Sequence, residues 1–353
     1  MKKIILSHDG SVAPLMHYLG SAFERRGVDV IYFETGQHNT WMDRFIFHRI
    51  NKLAHNLRLL PKSVNYFQDH PLTHRNFRSQ QLKSLIDQFK PDLLFVIRGP
   101  ELTKESIHAA PMRMAWWVEG DNRYQEIRPE LPWFDHYFFI NRTLSQQATS
   151  ENFSASYLPH AVDPNFFYKA PVSAHFDLGF VGAWSAVRQH YIAEAIHSGY
   201  KVGIYGPRWR KHALGQLKFW QAIQGNHLPA HQLNNFYNQC KIVLNLSQWG
   251  PITTAERSGM TLRFFEVPAT GRLLLTDTCI EQSELLQDGE QIATFRNIEE
   301  FRQKLRYYLE HAEERHAIAE KARTFMLNYR TYDTMAAEIT RHYWQLKSQS
   351  SPH

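Results

Sequence analysis

Short, nearly uninterrupted apolar runs, "DLLFVI", "HYFFI", "KIVLNLS" and "RLLLTD" among them, recur along the chain between segments of helical spacing. A strand that is apolar on both faces has to be covered on both faces. That burial is the habit of parallel sheets flanked by helices, and it excludes an open antiparallel meander with one wet face. The first instance shows the grammar. "KKIIL" precedes a polar turn, "SHDGS", and then a helix whose apolar positions are Val12, Leu15, Met16, Leu19, Ala22 and Phe23. Gly27 closes that helix and "VDVIYF" follows as the next strand, which makes a strand–helix–strand unit. "DLLFVI", "RMAWWV" and "HYFFI" continue it.

The pattern stops at "LPHAVDPNFFYKAPVSAHF", a stretch with three prolines and no sustained period, and then restarts. The second series is "DLGFVG", a helix from about Ser185 to His197, "YKVGIYG", a helix before Cys240, "KIVLNLS", a helix after Met260, and "RLLLTD". At 353 residues the chain suits two cores better than one. The expected fold class is therefore α/β, with two Rossmann-like domains facing across a cleft: residues 1–160, a linker at 161–176, and 177–330. Residues 331–353 read as a C-terminal helix returning toward the first domain.

The net charge of +6 favours anionic partners. Basic residues are scattered and no nucleic-acid motif is present, so small anionic ligands fit better than nucleic acid. No run reaches the ~18 apolar residues of a membrane span, and the N-terminus enters a strand without a signal-peptide core, so the expected location is cytoplasmic. Cys240 and Cys279 lie in apolar segments without metal-ligand spacing and receive no role. Neither a serine-hydrolase elbow nor a Gly-Lys-Ser/Thr phosphate loop occurs.

Ligands of such sheets bind at the carboxyl ends of the strands. In the second domain these ends carry "VGAW" (Gly182, Trp184), "YGPRW" (Tyr205, Gly206, Arg208), "LSQWG" (Ser247) and "SGMTLRFFEVPATGRLLLTD". Gly182 and Gly206 allow close backbone approach to a ligand, and a helix starting near Met260 and Thr261 offers N–H groups to a phosphate. Arg263 on its first turn, with Arg188 or Arg208, suits a diphosphate leaving group. Glu266, one turn on, suits a ribose diol. The plain alternative is that Arg263 and Glu266 form an i, i+3 surface ion pair contributing ~0.3 kcal/mol.

"HAVDPNFF", "FVGAW", "KVGIYGPRW", "LNLSQWG" and "MTLRFFEVPATGRLLLTD" stand in an order and spacing that resembles the GT-B glycosyltransferases of group 1. Within that group the chain is most similar to the CgeB-like, spore-maturation-type branch, and the resemblance covers most of residues 155–330. It implies a nucleoside diphosphate sugar as donor, a second domain that binds it, retention at the anomeric carbon, and Glu266 on the donor ribose. It also implies no metal or other cofactor. Many group 1 members carry another glutamate before this one, separated from it by seven intervening residues. Ser258 stands there, and Glu256 is two residues early. Pro268 inside the expected helix should kink or shorten it.

In the first domain, the acceptor side by the same resemblance, the strand-end candidates are His8 and Asp9, Arg98 and Gly99, and Glu119 and Asp121. Asp121 is read as the base for an acceptor hydroxyl or as a helix cap, with a divalent-cation site from Glu-x-Asp the less favoured third reading. His160, just before the linker, is either a cleft residue or a hinge. The aromatic and basic stretch at 40–77, with Trp41, Phe45, Arg49 and Tyr66, either fills a core or meets a glycan or lipid-linked acceptor or an anionic membrane lipid, which would make the protein peripheral at the inner membrane face. The expected activity is sugar transfer to a hydroxyl in cell-envelope glycan synthesis. The rivals are a nucleotide-sugar epimerase or sugar-phosphate hydrolase, and a non-catalytic binding or morphogenetic protein.

Overall fold

In the computed structural model of the chain the described residues are 1–10, 13–61, 64–98, 101–120, 123–246 and 259–350. They divide into two compact units, Met1–Leu158 with Met335–His353, and Pro159–Thr334.

The first unit holds one parallel sheet of six strands: β1 (Lys3–His8), β2 (Asp29–Glu34), β3 (Leu93–Ile97), β4 (Arg113–Trp117), β5 (His136–Phe139) and β6 (Ala155–Tyr157). Their order is β2-β1-β3-β4-β5-β6. Every residue of β3 is buried, as expected of a central strand covered on both faces. Helix Ala13–Arg25 lays Leu15, Met16, Leu19, Ala22 and Phe23 into the core at the predicted period, while Val12 lies outside the described residues. Gly27 ends the turn after it at φ 74°, its N–H donating to the Glu24 carbonyl at 2.9 Å. Helix Tyr332–Ser350 joins this unit from Met335 onward, where His342 stacks on His136 with ring centroids 4.8 Å apart.

The second unit repeats the plan with β7 (Phe176–Val181), β8 (Val202–Tyr205), β9 (Ile223–Gly225), β10 (Cys240–Asn245), β11 (Leu273–Asp277) and β12 (Ala293–Phe295). The order is β12-β11-β10-β7-β8-β9, again all parallel. In each sheet the chain builds outward on one side of its first strand and then returns to the other. The reversal falls between β1 and β3 in one unit and between β7 and β10 in the other. Helices leave in opposite directions there, which opens the sheet's carboxyl edge to a ligand.

Two expectations change. Strands β6, β9 and β12 close sheet edges but span three residues each, too few to show a pattern in sequence. The helix expected from Met260 instead begins at Arg263 and ends at Ala269, with Pro268 near its end. Among the described residues no helix is long and apolar enough to cross a membrane.

Gly179, in the middle of β7, has no room for a side chain. A Cβ there would overlap the Cys240 sulfur and approach the Phe236 ring to 3.2 Å. Gly179→Ala is expected to lower the urea midpoint by the equivalent of ~1–3 kcal/mol through overpacking. An unchanged midpoint would mean that β7 and β10 are less tightly seated than described.

Candidate functional site

The switch point of the second unit is built from the last residues of β7 and β10. β10 ends in Asn245, a fully buried amide at the tip of an apolar strand. Its Oδ1 accepts from Arg263 Nε at 2.7 Å and from the Thr261 hydroxyl at 3.1 Å, and its Nδ2 donates to Thr276 Oγ1 at 2.8 Å. Arg263, first residue of helix Arg263–Ala269, also donates through Nη1 to the Val181 carbonyl at 2.9 Å. The guanidinium thus spans the gap between β7 and β10 and keeps Nη2 without a partner among the described residues.

One turn on, Glu266 is buried and accepts at Oε2 from the Tyr237 hydroxyl at 3.3 Å, while Oε1 accepts from no described residue. Burial pushes its pKa up to about 7, against the opposing pull of Arg263 and the Tyr237 hydrogen bond. Arg263 and Glu266 form no surface ion pair, because both point inward to other partners. Met260 is buried and Thr261 half-buried ahead of the helix, and the N–H groups of both lack an acceptor among the described residues.

Other candidates stand behind this centre. Arg188 is 4% exposed and donates to the carbonyls of Ala183 and Leu246, each at 2.9 Å. Burial, with Arg263's charge second, draws its pKa down to about 10. Gly206 also differs from expectation. A Cβ there would run into the Gly182 carbonyl, so the close approach it permits is between two strand ends of the protein. Gly182 itself donates to the Tyr205 carbonyl at 2.8 Å and accepts from Trp209 Nε1 at 2.7 Å. Trp184 stacks flat on His212, centroids 3.4 Å apart, and Tyr205 meets Phe236 edge-on. Arg208 is exposed in a left-handed conformation, φ 71°, and reaches the Trp184 carbonyl at 3.4 Å. Ser247, Glu256 and Ser258 lie outside the described residues.

In the first unit the strand ends of β1, β3 and β4 bring His8, Asp9, Arg98 and Glu119 together. Arg98 sits at φ 69° and pairs with Asp9 at 2.7 Å and with Glu119 at 2.5 Å, and Arg123 lies 3.9 Å from Glu119. His8 is buried and accepts from the Gly10 N–H through Nδ1 at 2.9 Å, which places its proton on Nε2. Burial lowers its pKa, so the ring is neutral. Asp121 lies outside the described residues. His160, expected on the acceptor side, belongs to the second unit. There it is buried with its ring edge toward Phe265, centroids 6.2 Å apart, and burial drives its pKa down to about 3. Among the described residues no group of three or more His, Cys, Asp or Glu is placed to hold a metal ion.

Residues 188–341 match the family described as glycosyl transferase-like. The match takes in both Arg263 and Glu266. Solved structures are similar over nearly the whole chain. Sucrose-phosphate synthase from Thermosynechococcus elongatus aligns at TM-score 0.66 and 11% identity, covering 99% of this chain and all of that one. Anabaena HepE in complex with UDP and glucose aligns at TM-score 0.62 and 10% identity over 98% and 100% of the two chains. A UDP-N-acetylglucosamine 2-epimerase aligns at TM-score 0.58 and 14% identity over 98% and 97%. No curated protein matches the sequence. The fold is GT-B.

Sequence reading missed Asn245. Its signal was present, a lone amide closing the apolar run "KIVLN" at the carboxyl edge. A buried carboxyl with a raised pKa also has a stability signature. An unfolded Glu266 titrates near 4.5 and the folded one near 7, so the folded state holds the extra proton between those values. Its contribution is fully present below about pH 4.5 and is lost as pH rises through 7, on the order of 3 kcal/mol. Glu266→Gln is therefore expected to melt increasingly above the parent protein between pH 5 and about pH 8. Parallel melting curves across that range would show that Glu266 is not the titrating group.

Proposed function

We propose that the second unit binds a nucleoside diphosphate sugar at the β7/β10 carboxyl edge, and that the protein transfers the sugar to a hydroxyl acceptor. The observation that carries this reading is Arg263. It is a cation fixed by two hydrogen bonds at the sheet's switch point, with one nitrogen still to give, one turn from a buried carboxyl. A preorganised guanidinium stabilises the charge that grows on a departing diphosphate. It supplies positive charge without a metal ion, so turnover is expected to survive a chelator. The open oxygen of Glu266 suits a ribose hydroxyl, and the unpartnered N–H groups of Met260 and Thr261 suit phosphate oxygens. Asp121 is assigned the acceptor proton, and Arg98 holds Asp9 and Glu119 on the acceptor side.

The UDP and glucose bound by HepE favour a nucleoside diphosphate sugar as the donor class. The motif series from "HAVDPNFF" to "RFFEVPATGRLLLTD" favours the CgeB-like branch, retention at the anomeric carbon, and a cytoplasmic role in cell-envelope glycan synthesis. Epimerisation is the second reading, because an epimerase shares the fold. Release of free nucleoside diphosphate only when an acceptor is present separates transfer from epimerisation.

A melting screen against UDP, GDP, ADP, dTDP, CMP and their sugar conjugates tests the donor site, with ~2.7 kcal/mol of added stability expected at a hundredfold excess over Kd. Glu266→Ala should raise donor KM at least about tenfold, and Arg263→Ala should lower kcat by about 10²–10³. Hydroxyls that donate to Glu266 favour its charged form. Nucleotide affinity should thus rise between about pH 6 and pH 8 in the parent protein and stay flat in Glu266→Gln. Absence of a shift with every nucleotide sinks the donor-site reading and leaves the non-catalytic alternative ahead.

A further inference from the structure

Of the 17 large apolar side chains that stand exposed among the described residues, nine fall between positions 41 and 72. Trp41, Phe45, Ile50 and Leu53 stand on one helical run of the first unit and Leu57 at its exit, while Leu59, Val64, Tyr66 and Leu72 follow it in non-helical chain. A π-helical turn, Asp43–Phe47, runs into helix His48–Asn56, and its inner residue Phe47 is buried and stacked on Phe67 with centroids 4.3 Å apart. The element is therefore anchored, and its outward face is not a product of fraying.

That outward face has two sides. Ile50, Leu53 and Leu57 lie along one stripe of the helix and its exit, with Trp41, Phe45 and Tyr66 exposed nearby. Arg44, His48, Lys52 and His55 lie along the other and line a cavity of about 1120 Å³ that Arg75 and Arg78 share with Asp43, Glu101 and Glu130. Arg44, Arg49, Lys52 and Arg58 pair with no carboxylate among the described residues. Asp43, the only acid in helices 43–56, is held by the His74 N–H at 2.6 Å.

We propose that this face docks the protein on an anionic lipid bilayer. Exposed Leu and Ile cost free energy in water that an acyl boundary removes, and Trp and Tyr prefer the headgroup level. Arg44, Arg49, Lys52 and Arg58 beside them meet the negative surface potential of an anionic leaflet. A second copy of the chain fits less well, because a two-fold contact would set these cations against themselves. The inference is independent of the donor-site reading.

Co-sedimentation of the full chain with vesicles tests it, using phosphatidylcholine alone and a 3:1 mixture with phosphatidylglycerol. Binding is expected with the mixture only, and loss is expected in high salt. Leu53→Glu with Leu57→Glu, and separately Arg44→Glu with Lys52→Glu, should each weaken it at least about tenfold. All four side chains are exposed, and unchanged melting temperatures establish that the variants are folded. Equal binding to neutral vesicles, no binding to either, or binding that neither pair alters would overturn the proposal. So would a concentration-dependent dimer that Leu53→Glu with Leu57→Glu dissolves in the absence of vesicle binding.

Discussion

The second unit's chemistry hangs on one buried amide. Asn245 has no water to bond with, so its carbonyl oxygen must be satisfied by the protein, and Arg263 and Thr261 do so. That requirement fixes where helix Arg263–Ala269 begins and which way its first side chain points. A surface arginine would sample many rotamers. This one has its Nε and Nη1 committed to the ends of two strands, and so carries its charge to the sheet's edge at little further entropic cost. Arg188 repeats the device one layer deeper on the carbonyls of Ala183 and Leu246. Burial, and after it the neighbouring charge of Arg263, lower the pKa of Arg188.

The neighbouring carboxyl belongs to the same balance. Glu266 is buried near Arg263 yet still holds its proton to about pH 7, because desolvation outweighs the pull of that cation and of the Tyr237 hydrogen bond. Ionising Glu266 near neutrality is therefore costly for the fold. Sites of this kind trade stability for preorganisation.

Much of this was legible in sequence, for physical reasons that can be named. Central strands such as β3 and β10 are buried on both faces, so they write continuous apolar runs. The edge strands β6, β9 and β12 are three residues long, too short for a period to show even where their side chains, such as Phe295, are buried in the core. The places of Arg263 and Glu266 at the sheet's carboxyl edge were legible because strand ends and helix starts are local. The roles of Arg188 and Gly206 were not, because each depends on carbonyls brought near by the sheet, Leu246 in one case and Gly182 in the other. His160 shows the same limit. Its position just before the linker suggested the acceptor side, and its packing on Phe265 is a fact of the second unit's tertiary structure.

Helix Tyr332–Ser350 has a consequence for how the chain is made. The first unit takes its final piece, from Met335 onward, after the whole of the second has been synthesised. During vectorial synthesis the first sheet emerges early, but His136 on β5 waits for His342 until the end. The unit translated first is thus the last to be completed, and in the interim its β5 surface lacks the helix that covers it. The finished chain passes twice between its units, near residues 158 and 334, so closure of the first depends on the second having been built.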